Sequence, residues 1–334
     1  MKGKRVLITG AAGFLGYSLT LLCLEEGAQV FALDRQAYDR SLPFFRDEAT
    51  MDRVRYFQSD ICDPGLTAHA VAVANPDCVF HLAAVTQVTE ALDVPYEAMR
   101  VNCLGLPALL AGLPKDTPLI HVSSDKVYGR PDGAVAEAVP LAPLHPYDIS
   151  KAAADHLAQA EAIWGGRQIA IARFANIYGP GDVNWKRIVP GTLRSWLMGE
   201  APILRSTGTM RREYIYVDDA VGALYLLWGA LRINPSAGHA LVYNFGSGDA
   251  ITALTMVSQI RSVLAHQSGE SLDEAVVHAR AIGETPFLSM DSSRARRDLG
   301  WTARTGLRDG LRNTAIWMRS FLGIRYPVDL GGSL

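Results

Sequence analysis

RVLITGAAGFLGYSLTLLCLEEGAQVFALDR, residues Arg5 to Arg35, decides the fold of this chain. An apolar run from Arg5 to Thr9 leads into Gly10, Gly13 and Gly16 at G-x-x-G-x-x-G spacing. A helix-like stretch follows from Tyr17 to Glu26, and a second apolar run, Gln29 to Leu33, closes on Asp34. Strand, glycine turn, helix and acid-ended strand, in that order, make the string a dinucleotide fingerprint rather than a plain turn. Glycine lets backbone approach a pyrophosphate, and a helix N-terminus offers unpaired N–H groups and partial positive charge. Phe14 and Leu15, just before Gly16, join the candidate cofactor-binding residues. Asp34 would accept both adenosine ribose hydroxyls and repel a 2′-phosphate, which favours NAD over NADP. Arg35 leaves two readings open, a guanidinium that holds that phosphate or one that stacks on adenine.

Working outward, further apolar runs recur at Val54 to Gln58, Cys78 to Leu82, Leu119 to Ser123 and Ile169 to Phe174, separated by helix-like segments. Such alternation predicts an α/β, doubly wound parallel sheet of the Rossmann type, its strands covered on both faces. Ligands in this class sit at the carboxyl ends of the strands. Asp60 and Ile61 follow the third run, where Asp60 either accepts from the adenine amino group or simply starts the turn before Asp63-Pro64. Leu82, Ala83 and Ala84 end the fourth, and Ser123 the fifth; all are cofactor-side candidates. His81 reads as a packed, hydrogen-bonded histidine rather than a catalyst.

From about Gly179 the pattern loosens into a Gly-, Pro- and Trp-containing loop, a helix segment over Arg194 to Met198 and later short runs. Residues 1–178 are expected to form the dinucleotide-binding domain and 179–334 a smaller substrate lobe, mainly 179–213 and 247–334. The Tyr214 to Val217 run, the helix-like Asp218 to Leu231 and the Leu241 to Phe245 run are expected to return to the first domain as 214–246. With 334 residues, 49% hydrophobic and 20% charged, the chain can bury a large core. No run has the length and apolarity of a membrane span, and no signal-peptide layout is present, so a cytoplasmic location is expected. Cys23, Cys62, Cys78 and Cys103 are scattered through apolar surroundings and read as buried thiols, with neither a disulfide framework nor a metal site expected. A net charge of −2 without a basic block points away from nucleic acid.

Ser124, Asp125 and Lys126 place a hydroxyl, a carboxyl and an amine at one strand end. Tyr147 and Lys151 follow at i, i+4, so a helix starting near Pro146 puts them on one face. A phenol is a poor base at neutral pH, but an adjacent ammonium and a positive nicotinamide would favour its ionised form. Read alone, Tyr147 and Lys151 are an ordinary amphipathic surface pair, and Asp125 with Lys126 a surface ion pair.

As a set, Gly10 to Gly16, His81 to Ala84, Tyr147 to Lys151, Arg173 to Pro180 (RFANIYGP), Arg211 to Asp219 (RREYIYVDD) and Leu299 to Trp301 resemble the extended short-chain dehydrogenase/reductase, or NAD-dependent epimerase/dehydratase, family over nearly the whole chain. The resemblance implies that Tyr147 removes a proton from a sugar hydroxyl, Lys151 binds the nicotinamide ribose and Ser124 orients the same hydroxyl. It also implies a nucleotide-diphospho-sugar substrate with Asn176 and Arg212 near its phosphates, and a homodimer built by pairing helices. Within the family, Ser124-Asp125-Lys126 is similar to the Thr-Asp-Lys of the CDP-glucose 4,6-dehydratase group. So is Gly181 to Trp196 (GDVNWKRIVPGTLRSW), which adds Arg187 to the substrate-binding candidates.

These groups suffice for a 4,6-dehydration. Tyr147 deprotonates the C4 hydroxyl as hydride passes from C4 to NAD, and the 4-ketone acidifies C5–H. Lys126 takes that proton, Asp125 protonates the departing C6 hydroxyl, and the hydride returns to C6. Both Asp125 and Lys126 must then hold protonation states opposite to those in solution. Rival readings are a nucleotide-sugar 4-epimerase, which needs Ser124 and Tyr147 but no second acid–base pair, a keto-sugar reductase, and a catalytically idle binding protein.

Overall fold

The computed structural model describes residues 1–233, 238–268, 272–277 and 285–324. Seven parallel strands form the main sheet: β1 (Arg5–Thr9), β2 (Gln29–Asp34), β3 (Val54–Gln58), β4 (Cys78–His81), β5 (Leu119–Ser124), β6 (Ile169–Phe174) and β7 (Leu241–Phe245). Their order is β7-β6-β5-β4-β1-β2-β3, the doubly wound layout expected. Successive side chains point to opposite faces, so Val6, Ile8 and Ala32 join the core on one side while Leu7, Phe31 and Leu33 join that on the other. All six residues of β6 are buried, which is why its sequence alternates nothing polar except Arg173. Connections run one way from β1 and the other way from β4, opening a crevice above the two strands. Thr9 lies opposite both Leu33 and His81, so the carboxyl ends of β1, β2 and β4 finish level beneath it.

The segment 214–246 divides between this sheet and a smaller one. Leu241–Phe245 does add as the edge strand β7, pairing Leu241 with Ala170 through Phe245 with Phe174. The Tyr214 run does not. It belongs to Arg211–Tyr216, the hub of a smaller sheet that pairs with Asn176–Tyr178, Ala250–Thr252 and Phe287–Met290. With β7 on the outer edge of β6, the main sheet leaves no vacancy there for Arg211–Tyr216. The helix that follows, Val217–Ile233, packs back onto the main core through Ala220, Leu224 and Leu227.

Two buried clamps hold the parts that carry the cleft. Arg173 at the end of β6 grips Asp155 with Nε at 2.9 Å and Nη2 at 2.8 Å, fixing the helix Pro146–Ile163 (hereafter αS) to the sheet. A bidentate buried pair of this kind is specific in geometry and costly to break. Arg173 also donates to Tyr128 Oη at 2.7 Å, and Tyr128 donates to Asn244 Oδ1 at 2.8 Å, anchoring the turn after β5 to β6 and β7. At the far end Trp301 Nε1 donates to Asp219 O at 3.0 Å and its ring packs edge-on against Phe245, a structural role for the Leu299 to Trp301 motif.

Candidate active site

The glycine turn is shaped by close approach. Gly10 has φ +72°, and a Cβ there would lie 2.7 Å from the Ala83 nitrogen; a Cβ on Gly16 would lie 2.2 Å from the Gly10 carbonyl oxygen. Gly13 starts the helix Phe14–Glu25 without a side-chain cap, leaving its first N–H groups for a ligand. Asp34 accepts from Ala12 N at 3.0 Å and Gln36 N at 3.1 Å, one bond per oxygen, so each oxygen keeps acceptor capacity toward the cleft. Burial pushes its carboxyl up, against those two hydrogen bonds and the Arg35 charge.

Arg35 is paired with Glu97 at 3.2 Å. Glu97 also holds Arg100, which in turn reaches Asp60 at 2.6 Å. Asp60 Oδ1 accepts from Cys62 N at 2.9 Å, a turn contact, and Asp60 also lines the cleft. Burial disfavours its charge, but Arg100 and the Cys62 N–H hold its carboxyl below the usual range. Phe14, Leu15, Ile61, Leu82, Ala83, Ala84 and Ser123 line the same cleft of about 980 Å³. The Ser123 hydroxyl is buried there with no partner, a polar atom that a ligand group would satisfy. Uncapped helix, glycine cradle, Asp34 and this orphan hydroxyl together fit a dinucleotide.

Tyr147 and Lys151 lie on the first turns of αS, as their spacing predicts. Pro146 occupies the first helical position and Asp148 closes the helix start by accepting from His145 N at 3.3 Å. Lys151 is buried with Nζ donating to the Val122 carbonyl at 2.5 Å. Burial pulls its pKa down to about 8, with Asp155 working the other way. Tyr147 is buried as well. Burial pushes its pKa up to about 12; a hydrogen bond with Ser124 opposes this, and Asp125 adds to it. The Lys151 ammonium spends one of its three N–H donors on Val122 O and keeps two for other partners.

Ser124 ends β5 and opens a short turn, Asp125–Tyr128. Its hydroxyl donates to Asp125 Oδ1 at 3.0 Å and accepts from Lys126 N at 3.3 Å. Asp125 is only 4% exposed at the side chain, Lys126 24%, with 3.8 Å between Nζ and Oδ1. Both line the cleft beside Tyr147, so the surface ion-pair reading fails: the carboxylate is under the floor, not on a loop. His81 is packed as expected, bonded to Thr9 Oγ1 at 2.8 Å and set beside His121; burial and then Lys151 hold its pKa down at about 3.

On the other wall, Asn176 donates to Glu213 O at 3.2 Å and Arg187 pairs with buried Asp182 at 3.3 Å; both line the cleft. Arg212 does not line it. It donates to Arg211 O at 2.8 Å, on the strand face it shares with cleft-lining Tyr214 two residues on. Arg205, unmarked by any motif, lines it instead, as do Trp185, Thr86, Gln87 and Glu90. The segment from Thr86 to Glu90 follows β4 directly, so its place at a strand carboxyl end was the available signal; Arg205 carried none.

The model of the NAD dependent epimerase/dehydratase family matches residues 6–246. A dTDP-glucose 4,6-dehydratase of Streptomyces niveus is 30% identical over 324 residues, which span 94% of this chain and 93% of that protein. Among solved structures, MoeE5 in complex with UDP-glucose and NAD matches with a TM-score of 0.79 at 31% identity, covering 95% of this chain and 99% of that one. DesIV, a dTDP-glucose 4,6-dehydratase from Streptomyces venezuelae with NAD and TYD bound, matches with a TM-score of 0.83 at 28% identity over 96% and 98%.

Proposed function

The chain belongs to the NAD dependent epimerase/dehydratase family, and on that premise we propose that it is a nucleotide-sugar 4,6-dehydratase acting on a pyrimidine-diphosphate glucose. NAD is its cofactor, with the turn Gly10 to Gly16 on the pyrophosphate, Asp34 on the adenosine ribose and Lys151 on the nicotinamide ribose. Bound there, NAD would supply the hydride acceptor for oxidation at C4 and the hydride donor for reduction at C6.

The protein's own groups handle the protons. Tyr147, which lines the cleft with Ser124, receives the C4 hydroxyl proton, and the resulting ketone acidifies C5–H. Lys126, as the neutral amine, takes the C5 proton, while Asp125, as the protonated acid, gives its proton to the C6 hydroxyl so that it leaves as water. Lys126 then returns its proton to C5. Arg187 and Arg205 would meet the diphosphate, with a further donor from Asn176; all three line the cleft. The observation that carries this reading is the Asp125–Lys126 pair in the cleft floor, within one hydrogen bond of Ser124. Inversion at C4 has no use for that pair; elimination of water across C5 and C6 needs it.

The resemblance of Ser124-Asp125-Lys126 to the CDP-glucose 4,6-dehydratase group supports the CDP sugar, whereas two of the relatives named above are dTDP-glucose 4,6-dehydratases. Incubation with CDP-glucose, dTDP-glucose and UDP-glucose, followed by mass spectrometry, decides both points. The expected product is a 4-keto-6-deoxy sugar nucleotide, fastest from the CDP substrate. Finding only C4 inversion across the panel would sink the dehydratase.

Among the described residues no helix is long and apolar enough to cross a membrane. The four cysteines are free thiols, which suits the reducing cytoplasm. Ile149, Leu157 and Trp164 leave apolar side chains exposed along αS, beside exposed Leu104. A second copy packed on that face would bury them as a homodimer. Sedimentation analysis returning a monomer at micromolar concentration would remove the dimer.

A further inference from the structure

The adenosine end of the cleft carries a chain of alternating charges that the sugar chemistry does not use. Arg35, one residue beyond Asp34, lines the cleft, is about half exposed and pairs through Nη1 with Glu97 Oε1 at 3.2 Å. Arg100 grips the same carboxylate as a fork, Nε to Oε2 at 2.8 Å and Nη2 to Oε1 at 2.9 Å. Its Nη2 also reaches Asp60 Oδ2 at 2.6 Å. The order is Asp60, Arg100, Glu97, Arg35. Glu97 and Arg100 stand behind the cleft lining, on Pro95–Met99 and the helical turn that follows it, whereas Asp60 and Arg35 belong to the lining.

NAD and NADP differ at one oxygen of the adenosine ribose, a 2′-hydroxyl in the first and a 2′-phosphate in the second. That phosphate carries a charge of about −1.5 to −2 at pH 7. A guanidinium suits it well, because the planar fork matches two phosphate oxygens at once. Arg35, next along the chain from the ribose-facing Asp34, is the arginine in position to serve, but Glu97 occupies its guanidinium. A lone exposed ion pair is worth little and would yield to a phosphate. Here the Arg100 fork already holds Glu97 in place, and Asp60 holds Arg100 in turn, so the pair with Arg35 forms on a fixed carboxylate. With Asp34 included, three carboxylates meet two guanidinium groups, which leaves this end of the cleft one charge negative.

We propose that Glu97 is a determinant of cofactor choice: by masking Arg35 from outside the cleft, it withholds from a 2′-phosphate the cation that would bind it and so reserves the site for NAD. Asp34 repels the phosphate, and Glu97 removes what would compensate for that repulsion. Glu97 touches no cofactor and acts through Arg35, which makes it a positioning residue. This role needs NAD as the cofactor and holds whether the sugar is dehydrated or epimerised.

Calorimetric titration of the full chain with NAD and with NADP tests the mask. Glu97→Ala and Glu97→Gln are expected to tighten NADP by about tenfold or more, the worth of a hydrogen bond between charged partners. Both should leave NAD within about threefold, as for a surface change away from the ligand, and this unchanged affinity also reports that the variants fold. Adding Arg35→Ala to Glu97→Ala should cancel the gain, because the masked cation is then missing. An NADP to NAD affinity ratio that stays at the wild-type value in both Glu97 variants overturns the proposal. A gain that survives the loss of Arg35 overturns it too, since one less negative charge would then favour any phosphate. Weaker NAD binding at an unchanged ratio would make Glu97 a support for Arg35 stacked on adenine, not a mask. A wild type that binds neither nucleotide loses the cofactor site itself, and the role of Glu97 with it.

Discussion

Replacing Lys126 by alanine removes the amine that takes the C5 proton while leaving the C4 machinery in place. The other amine in the cleft floor, Lys151, is held on the Val122 carbonyl at 2.5 Å and cannot stand in. Loss of a positioned general base slows its step by about 10²–10⁴, equal to about 3–5 kcal/mol of barrier. The ion pair lost with it is a weaker matter. At 3.8 Å two unit charges attract by about 1 kcal/mol in water and about 4 kcal/mol at a protein-like dielectric, and the partial exposure of Lys126 places the pair toward the lower figure. The variant should therefore fold, oxidise C4 within about tenfold of the wild-type rate, and stall before elimination. Rapid-quench mass spectrometry reads both sugars directly. In D2O the wild-type product gains solvent deuterium at C5 through the exchanged Lys126 proton, whereas any slow product of the variant loses that dependence on the amine. A Lys126→Ala enzyme that releases water at the wild-type rate would refute the assignment.

Gly16→Ala forces a Cβ to 2.2 Å from the Gly10 carbonyl and must shift the turn, so NAD affinity should fall by at least about tenfold, or 1.4 kcal/mol, in a calorimetric titration. Equal affinity would show that the turn does not hold the pyrophosphate. Burial lowers the Lys151 pKa from 10.5 to about 8, so across that window the unfolded chain binds more protons and stability rises with pH, being lost again as pH falls through 8. Lys151→Met should flatten that rise in urea unfolding of the free protein; an unchanged slope would contradict it. Arg187→Ala should raise KM by about 10–150-fold, the worth of a hydrogen bond to a charged group, with a smaller effect for Arg212→Ala, which lies off the cleft lining. Initial-rate kinetics giving the reverse order would exchange their roles.

Much of this was legible because parallel strands buried on both faces write themselves as continuous apolar runs, as at Ile169–Phe174, and because a glycine turn in its strand–helix setting has few other uses. The shared face of Tyr147 and Lys151 was readable from helical period, their role only beside the glycine turn. The smaller sheet was not, because Asn176–Tyr178, Ala250–Thr252 and Phe287–Met290 are short and pair across long sequence separations around Arg211–Tyr216. Nor did the sequence indicate that Arg205 rather than Arg212 lines the cleft, since a two-residue strand and its loop, not a motif, deliver it. The electrostatics of Tyr147 also escaped: a lysine one turn away in a helix does not reveal how strongly burial raises the phenol.

The central claim is that hydride leaves C4 and comes back at C6 after water is lost. Turnover of nucleotide glucose deuterated at C4 tests it most directly. The account predicts a 4-keto-6-deoxy product with the deuterium in its C6 methyl group; deuterium retained at C4 of an epimerised sugar would contradict it.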